Sequence, residues 1–322
     1  MKKLEINEAI ELLKKKEIVA IPTETVYGLA ADATSDEAVG KIFKAKGRPS
    51  DNPLIVHIGK ISQVGLLASD ACKKSKKLME NFWPGPLTVI LHSNGKVSDL
   101  VTAGLSTVGI RMPCHKLALE LLQKSGIPLA APSANISGKP SPTTANHVIN
   151  DMDGKIPGVV DGGICSIGLE STVIDMTANP PVILRPGGIS KSQIEAVIGK
   201  VLISDGNSGK PKSPGMKYAH YSPDAEVYIV EGSKGYWDKL TSRFGLQNKT
   251  VGILANAVEN KEYPGSVAIK TMGMAGQSLY AALREFDDEG IDIVLCEASS
   301  DEAVMNRLMK ASEEQILSEV GN

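Results

Sequence analysis

The sequence predicts an α/β protein: a twisted, mixed β-sheet with helices packed on it, followed by a smaller α/β domain built on a parallel sheet. Three features predict it. Short apolar runs that stop at proline or glycine mingle with helix-periodic stretches up to about residue 190, without strict alternation. Residues 204–223, SDGNSGKPKSPGMKYAHYSP, interrupt this pattern with glycine, serine, proline and lysine. Beyond them, strand and helix patterns alternate regularly to the end of the chain. The expected division is 3–190 for the first domain, 191–224 for a linker and 225–322 for the second domain.

The elements follow in order. Asn7 can cap a first helix, with Glu8 and Glu11 at its positive end, Lys14 to Lys16 at its negative end and Ile6, Ile10 and Leu13 as its apolar stripe. IVAIP (18–22) is a short strand that stops at proline, and the polar cluster Thr23, Glu24, Thr25 follows it. A second helix runs from its cap Ser35 to Lys46, where Gly47 and Pro49 end it. PLIVHI (53–58) is a strand, and residues 71–82 form a lysine-rich helix closed by WPGP. LTVIL (87–91) and VGIRMP (108–113) are strands, His115 to Lys124 a helix, and IPLAAP (127–132) another strand. A helix is expected from Pro142 to about Asp151 with Ser141 as its cap, followed by strands at 171–176 and 181–186. In the second domain AEVYIV, TVGILA, VAIKTM and DIVLCEA read as strands, separated by helices that include one to Phe244, one over 275–289 and a last one.

Composition narrows the function. A chain of 322 residues with 42% hydrophobic and 22% charged residues is globular, not disordered throughout. The 35 Lys and Arg against 37 Asp and Glu give a net charge of −2, which excludes a protein basic all over that coats nucleic acid but leaves a local basic groove open. Aromatic residues, at 4%, are too few for a chain built around base-stacking platforms. Cys72, Cys114, Cys165 and Cys296 lie far apart with no C-x-x-C, so neither a zinc knuckle nor a dithiol motif is expected. They fit buried thiols in a reducing cytosol. The start, MKKLEINEAIELLKKK, lacks the apolar core of a signal peptide, and no apolar run approaches the roughly 18–20 residues that span a bilayer. The expectation is a soluble, cytoplasmic protein.

The common catalytic templates are missing: there is no G-x-x-x-x-G-K-[ST], no G-x-G-x-x-G after a strand, no H-E-x-x-H and no G-x-S-x-G. What remains is a set of polar residues placed where strands end. PTETVYGL (22–29) offers hydroxyls beside a glycine turn, suited to a polar ligand or to a capped turn. KAKGRPSDNP (44–53) puts three cations near a helix C-terminus, where they complement the dipole. Arg48 lies past the glycine, however, and its fork is free to grip a phosphate. Asn52 and the strand-borne His57 follow; alone, His57 also reads as a core histidine. Arg111 stands inside the apolar strand GIRMP, where it must either meet an internal Asp or Glu or face a cleft for a free carboxylate. APSANISGKPSPTTA (131–145) places Ser133 and Asn135 at a strand end, with Ser141-Pro142 as a helix start favouring an anion. Ser171 follows the loop GGICSIG, Arg185 lies in LRPGG, and Tyr221 in the linker run KYAHYSP. Together these describe a concave site of cations and hydroxyls, suited to a nucleotide and a small carboxylate-bearing molecule.

Taken as an ordered set, PTETVYGL, KAKGRP with the later SAN, GIRMP, APSANISG, STVID, LRPG and SPGMKYAHYSP resemble the threonylcarbamoyl-AMP synthase family in its two-domain form, over nearly the whole chain. The resemblance implies a YrdC-like first domain and a small Rossmann-like parallel α/β second domain. It implies that L-threonine, bicarbonate and ATP give L-threonylcarbamoyladenylate, pyrophosphate and water, for threonylcarbamoyladenosine formation beside the tRNA anticodon. It places Thr25, His57, Arg111, Ala131 and Ser171 at threonine. Arg48, Asn52, Thr107, Ser133, Ser141, Arg185 and Tyr221 fall at ATP, with Lys46 and Asn135 completing a basic motif and Lys46 and Arg48 in the catalytic role. Mg²⁺ is implied as a cofactor held mainly by ATP, with no protein metal ligands assigned. The implied partners are these small molecules and a downstream tRNA threonylcarbamoyl transferase, with weak tRNA binding and no membrane. The linker is implied to close over the site. Two other readings differ in class. One is an RNA-binding module without adenylate-forming activity, which would bind tRNA with no ATP turnover. The other is a carbamoyl-transfer protein of hydrogenase maturation, which would carry the zinc-type cysteine pairs this chain lacks.

Overall fold

A computed structural model describes residues 1–69, 71–204, 221–256, 263, 265–266, 268–273 and 276–319. The chain divides into two compact units, Met1–Ser137 with Ser141–Tyr218, and Gly138–Pro140 with Ala219–Asn322.

The first unit begins with β1 (Lys2–Lys3), α1 (Ile6–Lys14), β2 (Val19–Ile21), β3 (Gly28–Asp32), α2 (Asp36–Lys46) and β4 (Ile55–His57). It continues through α3 (Val64–Leu67), α4 (Lys73–Phe82), β5 (Leu87–His92), α5 (Asp99–Thr102), β6 (Thr107–Arg111), α6 (Lys116–Ser125) and β7 (Leu129–Ala130). It ends with α7 (Ala145–Met152), β8 (Gly158–Val159), β9 (Thr172–Asp175), β10 (Val182–Arg185), α8 (Lys191–Ile198) and β11 (Leu202–Ile203). The strands form one mixed sheet in the order β1-β8-β2-β3-β7-β4-β6-β5-β9-β10-β11. The expected mixed, twisted sheet with packed helices is what the chain forms.

Period-two alternation gives the sheet two faces. In β5, Leu87, Val89 and Leu91 enter the main core with Ile42, Val56, Leu78 and Ile110. The alternate residue Ile90 joins Ile55 and Val173 in a small cluster on the other face. A Cβ at Gly109 would meet Thr88, Ile55 and Ile90 side chains on that same face, 3.3 to 3.8 Å away. Two positions on from Gly109 and Ile55 stand Arg111 and His57, and two before Val173 stands Ser171. That face is where the chemistry collects.

Three expectations are corrected here. The first helix is capped at Glu5, and the Glu8 carboxylate accepts the Glu5 N–H at 3.1 Å; Asn7 lies inside the first turn. The helix expected from Pro142 starts at Ala145, because the Thr144 hydroxyl accepts from the His147 N–H and does the capping. The segment 191–203, assigned to a linker, is folded: Ser190 and Gln193 form a capping box that starts α8, and β11 pairs in parallel with β10. The rest of the expected linker, including its Pro-Gly-Met-Lys-Tyr core at 214–218, lies outside the described residues up to Tyr221.

The second unit carries β12 (Glu226–Glu231), α9 (Lys234–Leu246), β13 (Val251–Ala255), β14 (Ala268–Thr271), α10 (Leu279–Asp288), β15 (Ile293–Glu297), α11 (Glu302–Ala311) and β16 (Ile316–Ser318). All its described pairings are parallel, in the order β14-β13-β15-β12-β16. The inner strand β13, VGILA, is buried throughout, as a strand covered on both faces requires, whereas the edge strands β14 and β16 are partly exposed.

Candidate active site

Parallel β4 and β6 set His57 and Arg111 opposite each other as register partners. β5 runs antiparallel to β6 and parallel to β9, so the N-terminal ends of β5 and β9 reach the same edge. Thr172 N–H donates to the Pro86 carbonyl there, and Gly85 N–H to that of Met112. The edge therefore gathers His57, Arg111, Gly85, Ser171 and, from antiparallel β10, Arg185.

Arg111 is almost wholly buried and donates to three partners. Its Nη2 donates to Glu24 Oε1 at 2.6 Å, its Nη1 to the Thr25 hydroxyl at 2.9 Å and its Nε to the Gly85 carbonyl at 3.3 Å. Glu24 Oε2 accepts the Cys114 N–H at 3.1 Å. Burial would raise the Glu24 carboxyl; the charge and hydrogen bond of Arg111 outweigh it and hold that carboxyl below the usual range. The Thr25 hydroxyl also bonds that of Thr23 at 2.9 Å. Of the two environments left open for Arg111, an internal carboxylate is present, and it is Glu24.

His57 is buried, with Nδ1 unpartnered among the described residues. Burial and then the neighbouring Arg111 charge push its pKa down to about 3, so its ring is neutral at ordinary pH. Leu129 is the register partner of His57, and the buried Ala131, two residues on, donates its N–H to the Ile55 carbonyl. A Cβ at Gly28 would stand 3.2 Å from the Ala131 methyl, so glycine lets the two segments approach.

Ser171 is held by two partners. Its hydroxyl bonds Thr88 Oγ1 at 2.8 Å, and Arg185 donates to its carbonyl through Nε and Nη2 at 3.2 and 2.9 Å. Gly187 lets this happen: a Cβ there would lie 2.4 Å from both the Glu170 carbonyl oxygen and the Thr172 nitrogen. Ser141, expected as a helix cap, donates instead to Glu170 Oε1 at 2.6 Å.

The basic motif forms a second group. Gly47 ends α2 in a left-handed turn at φ +61°, which releases Arg48 from the helix. Buried Lys46 donates to the Ser133 and Asn135 carbonyls at 2.5 and 2.7 Å and to Asn135 Oδ1 at 3.4 Å. It clamps the turn after β7. Arg48 Nη2 donates to the carbonyl of the fully buried Asn52 at 3.4 Å. The two groups meet through the loop 22–28, since Gly28 bridges Ser133 and the Ala134 N–H donates to the Tyr27 carbonyl. Thr107 opens β6, half-buried, on the face of Gly109 and Arg111.

Tyr221 belongs to the second unit, where its ring lies 5.1 Å from that of Tyr280 and the Arg307 guanidinium lies 5.9 Å from it. Its φ of +71° is unusual for a side chain of this size, and the next N–H, Ser222, donates to the Gly138 carbonyl. Among the described residues no group of three or more His, Cys, Asp or Glu is placed to hold a metal ion, and no helix is long and apolar enough to cross a membrane.

Glu24, Thr88, Glu170 and Gly187 are site residues that the motif positions did not assign. Glu24 had a sequence signal, because an arginine in an apolar strand demands a partner. Thr88 and Glu170 had none, since their roles come from pairings made across the sheet and between distant loops.

Comparison with known proteins follows the same lines. A family model described as telomere recombination matches residues 11–187, and one described as the C-terminal domain of threonylcarbamoyl-AMP synthase matches 189–313. The chain is 51% identical to the threonylcarbamoyl-AMP synthase of Bacillus subtilis, over 96% of this chain and 93% of that protein. It is 45% identical to the threonylcarbamoyl-AMP synthase of Pyrococcus abyssi, over 97% and 95%. A crystal structure of P. abyssi Sua5 complexed with L-threonine matches the fold with a TM-score of 0.92 at 43% identity, covering 98% of this chain and 97% of that one.

Proposed function

The chain belongs to the threonylcarbamoyl-AMP synthase family in its two-domain form, and we propose for it the reaction of L-threonine, bicarbonate and ATP to threonylcarbamoyl-AMP, pyrophosphate and water. The observation that carries the reading is the single sheet face on which Arg111, held by Glu24 and Thr25, stands beside neutral His57 and within the same edge as Ser171.

In this reading Thr25, His57, Arg111, Ala131 and Ser171 surround threonine. The ammonium group gives up a proton to solvent, and the free amine combines with bicarbonate to a carbamate, releasing water. A carbamate oxygen then attacks the α-phosphorus of ATP and pyrophosphate leaves. The carbamate is already anionic, so the step needs positioning and charge neutralisation more than a protein nucleophile. Arg48 faces the phosphates, with Asn52, Thr107, Ser133, Ser141, Arg185 and Tyr221 as further ATP contacts. Lys46 and Asn135 hold the turn that carries Ser133, and the Lys46 charge offsets the triphosphate. Magnesium arrives on ATP, with the phosphates as its main ligands. The product goes on to a transferase that acts on tRNA. The test is incubation with ATP, Mg²⁺, threonine and labelled bicarbonate, followed by identification of a labelled adenylate by mass spectrometry; its absence overturns the reading.

A further inference from the structure

Glu24 has no part in the reaction as written, yet its buried carboxylate is fixed by both Arg111 and the Cys114 N–H. We propose that Glu24 and Arg111 together read the substrate as a zwitterion, Glu24 meeting the α-ammonium group and Arg111 the carboxylate, which makes Glu24 a specificity-determining residue. The inference rests on the reading that this site takes an amino acid.

Charge balance is the first support. The Arg111 and Glu24 side chains are only 4% and 3% exposed, and their charged atoms are 2.6 Å apart. A carboxylate without an amine, entering beside this pair, would set two anions against Arg111, the cation they share, while the Arg185 guanidinium on the same edge is directed to Ser171. Like charges so close in a dry site are strongly unfavourable. His57 offers no second cation, because its buried ring is neutral. A zwitterion adds no net charge, and its two ends match the two members of the pair.

Bonding capacity is the second. A guanidinium has five N–H donors and a carboxylate about four acceptor positions. The described bonds of Arg111 use three of its donors, and those of Glu24 use one acceptor position on each oxygen. Both groups keep capacity for a ligand. Fixed positioning is the third. Gly85, Thr25 and the Cys114 N–H lock the pair from three separate segments, so neither member must reorganise to bind. A carboxylate kept only to neutralise Arg111 would serve with any anion, whereas this one is aimed as well as paired.

The experiment is calorimetric titration of the full chain, without ATP, by L-threonine and by 3-hydroxybutanoate, the same molecule without its amine. The wild type is expected to prefer threonine by at least about thirtyfold, the scale on which an unmatched buried charge is penalised. Glu24→Gln should weaken threonine and leave 3-hydroxybutanoate unchanged or tighter, bringing the ratio near one. Glu24→Asp, which keeps the charge but shortens its reach, should fall between. An unchanged ratio in Glu24→Gln, or equal weakening of both ligands, overturns the proposal. If Glu24→Gln does not fold by circular dichroism, the Glu24→Asp ratio decides, and an unchanged value overturns it. Failure of the wild type to bind threonine at all would instead contradict the functional reading.

Discussion

His57 and Arg111 are register partners on adjacent parallel strands, which places a buried imidazole against a buried guanidinium. The pairing couples stability to pH. The imidazole pKa falls to about 3 in the folded protein from an ordinary 6.5, so the unfolded chain binds the proton more readily between those values. Stability from this group is full above pH 6.5 and is lost as pH falls toward 3, at up to about 1.4 kcal/mol per pH unit. Glu24 acts in the same direction at lower pH, because its carboxyl is held below 4.5. Urea unfolding of His57→Gln should show a flatter pH dependence than wild type between pH 7 and pH 5. Equal slopes would remove His57 as the cause.

Gly187→Ala should be costly far beyond its size. The new methyl would press on the Glu170 carbonyl and the Thr172 nitrogen at 2.4 Å, both of them backbone. Overpacking of this kind costs about 1–3 kcal/mol, visible as a lowered urea midpoint. Because Ser171 sits between those atoms, the affinity for threonine should also fall. A variant with unchanged midpoint and affinity would show that the loop yields freely.

Ser141 and Thr144 separate two roles that the sequence placed on one residue. Thr144→Ala removes the cap of α7 and should cost about 1 kcal/mol in unfolding experiments. Ser141→Ala leaves the helix intact but removes the buried hydrogen bond from Ser141 to Glu170, so its loss should be about 1 kcal/mol. The result against this assignment is a Ser141→Ala protein as stable as wild type.

Arg48→Ala tests the phosphate side. If Arg48 grips ATP through charge-assisted bonds, kcat/KM for ATP should drop by about 2–4 kcal/mol of transition-state stabilisation. Threonine binding measured without ATP should barely change. Near-normal turnover would return Arg48 to a role at the end of α2.

The sequence showed the sheet-and-helix architecture clearly where local patterns determine it. Ser35 and Gly47 bound α2 as their chemistry dictates, and VGILA forms a fully buried parallel strand. What it did not show depends on distant pairing. β1 and β8 have two residues each and no periodicity; they exist because Lys2 and Lys3 pair with Gly158 and Val159. β11 escaped notice for the same reason, and with it the folded nature of 191–203. Of the motif positions, His57, Arg111, Ser171 and Arg185 come to one sheet edge, Lys46 and Arg48 form a second group and Tyr221 lies in the second unit; the partner of Arg111 was open until Glu24 was placed by the turn between β2 and β3. Ser141 misled because Thr144, three residues on, carries the same capping chemistry.

The central claim is that one site joins an amino acid, bicarbonate and ATP, and the most direct test is the rate of pyrophosphate release with each substrate omitted in turn. Release should require threonine and bicarbonate together, and serine should support it less well, since a methyl-sized niche is worth about 1–3 kcal/mol. Pyrophosphate released equally fast without threonine would contradict the account.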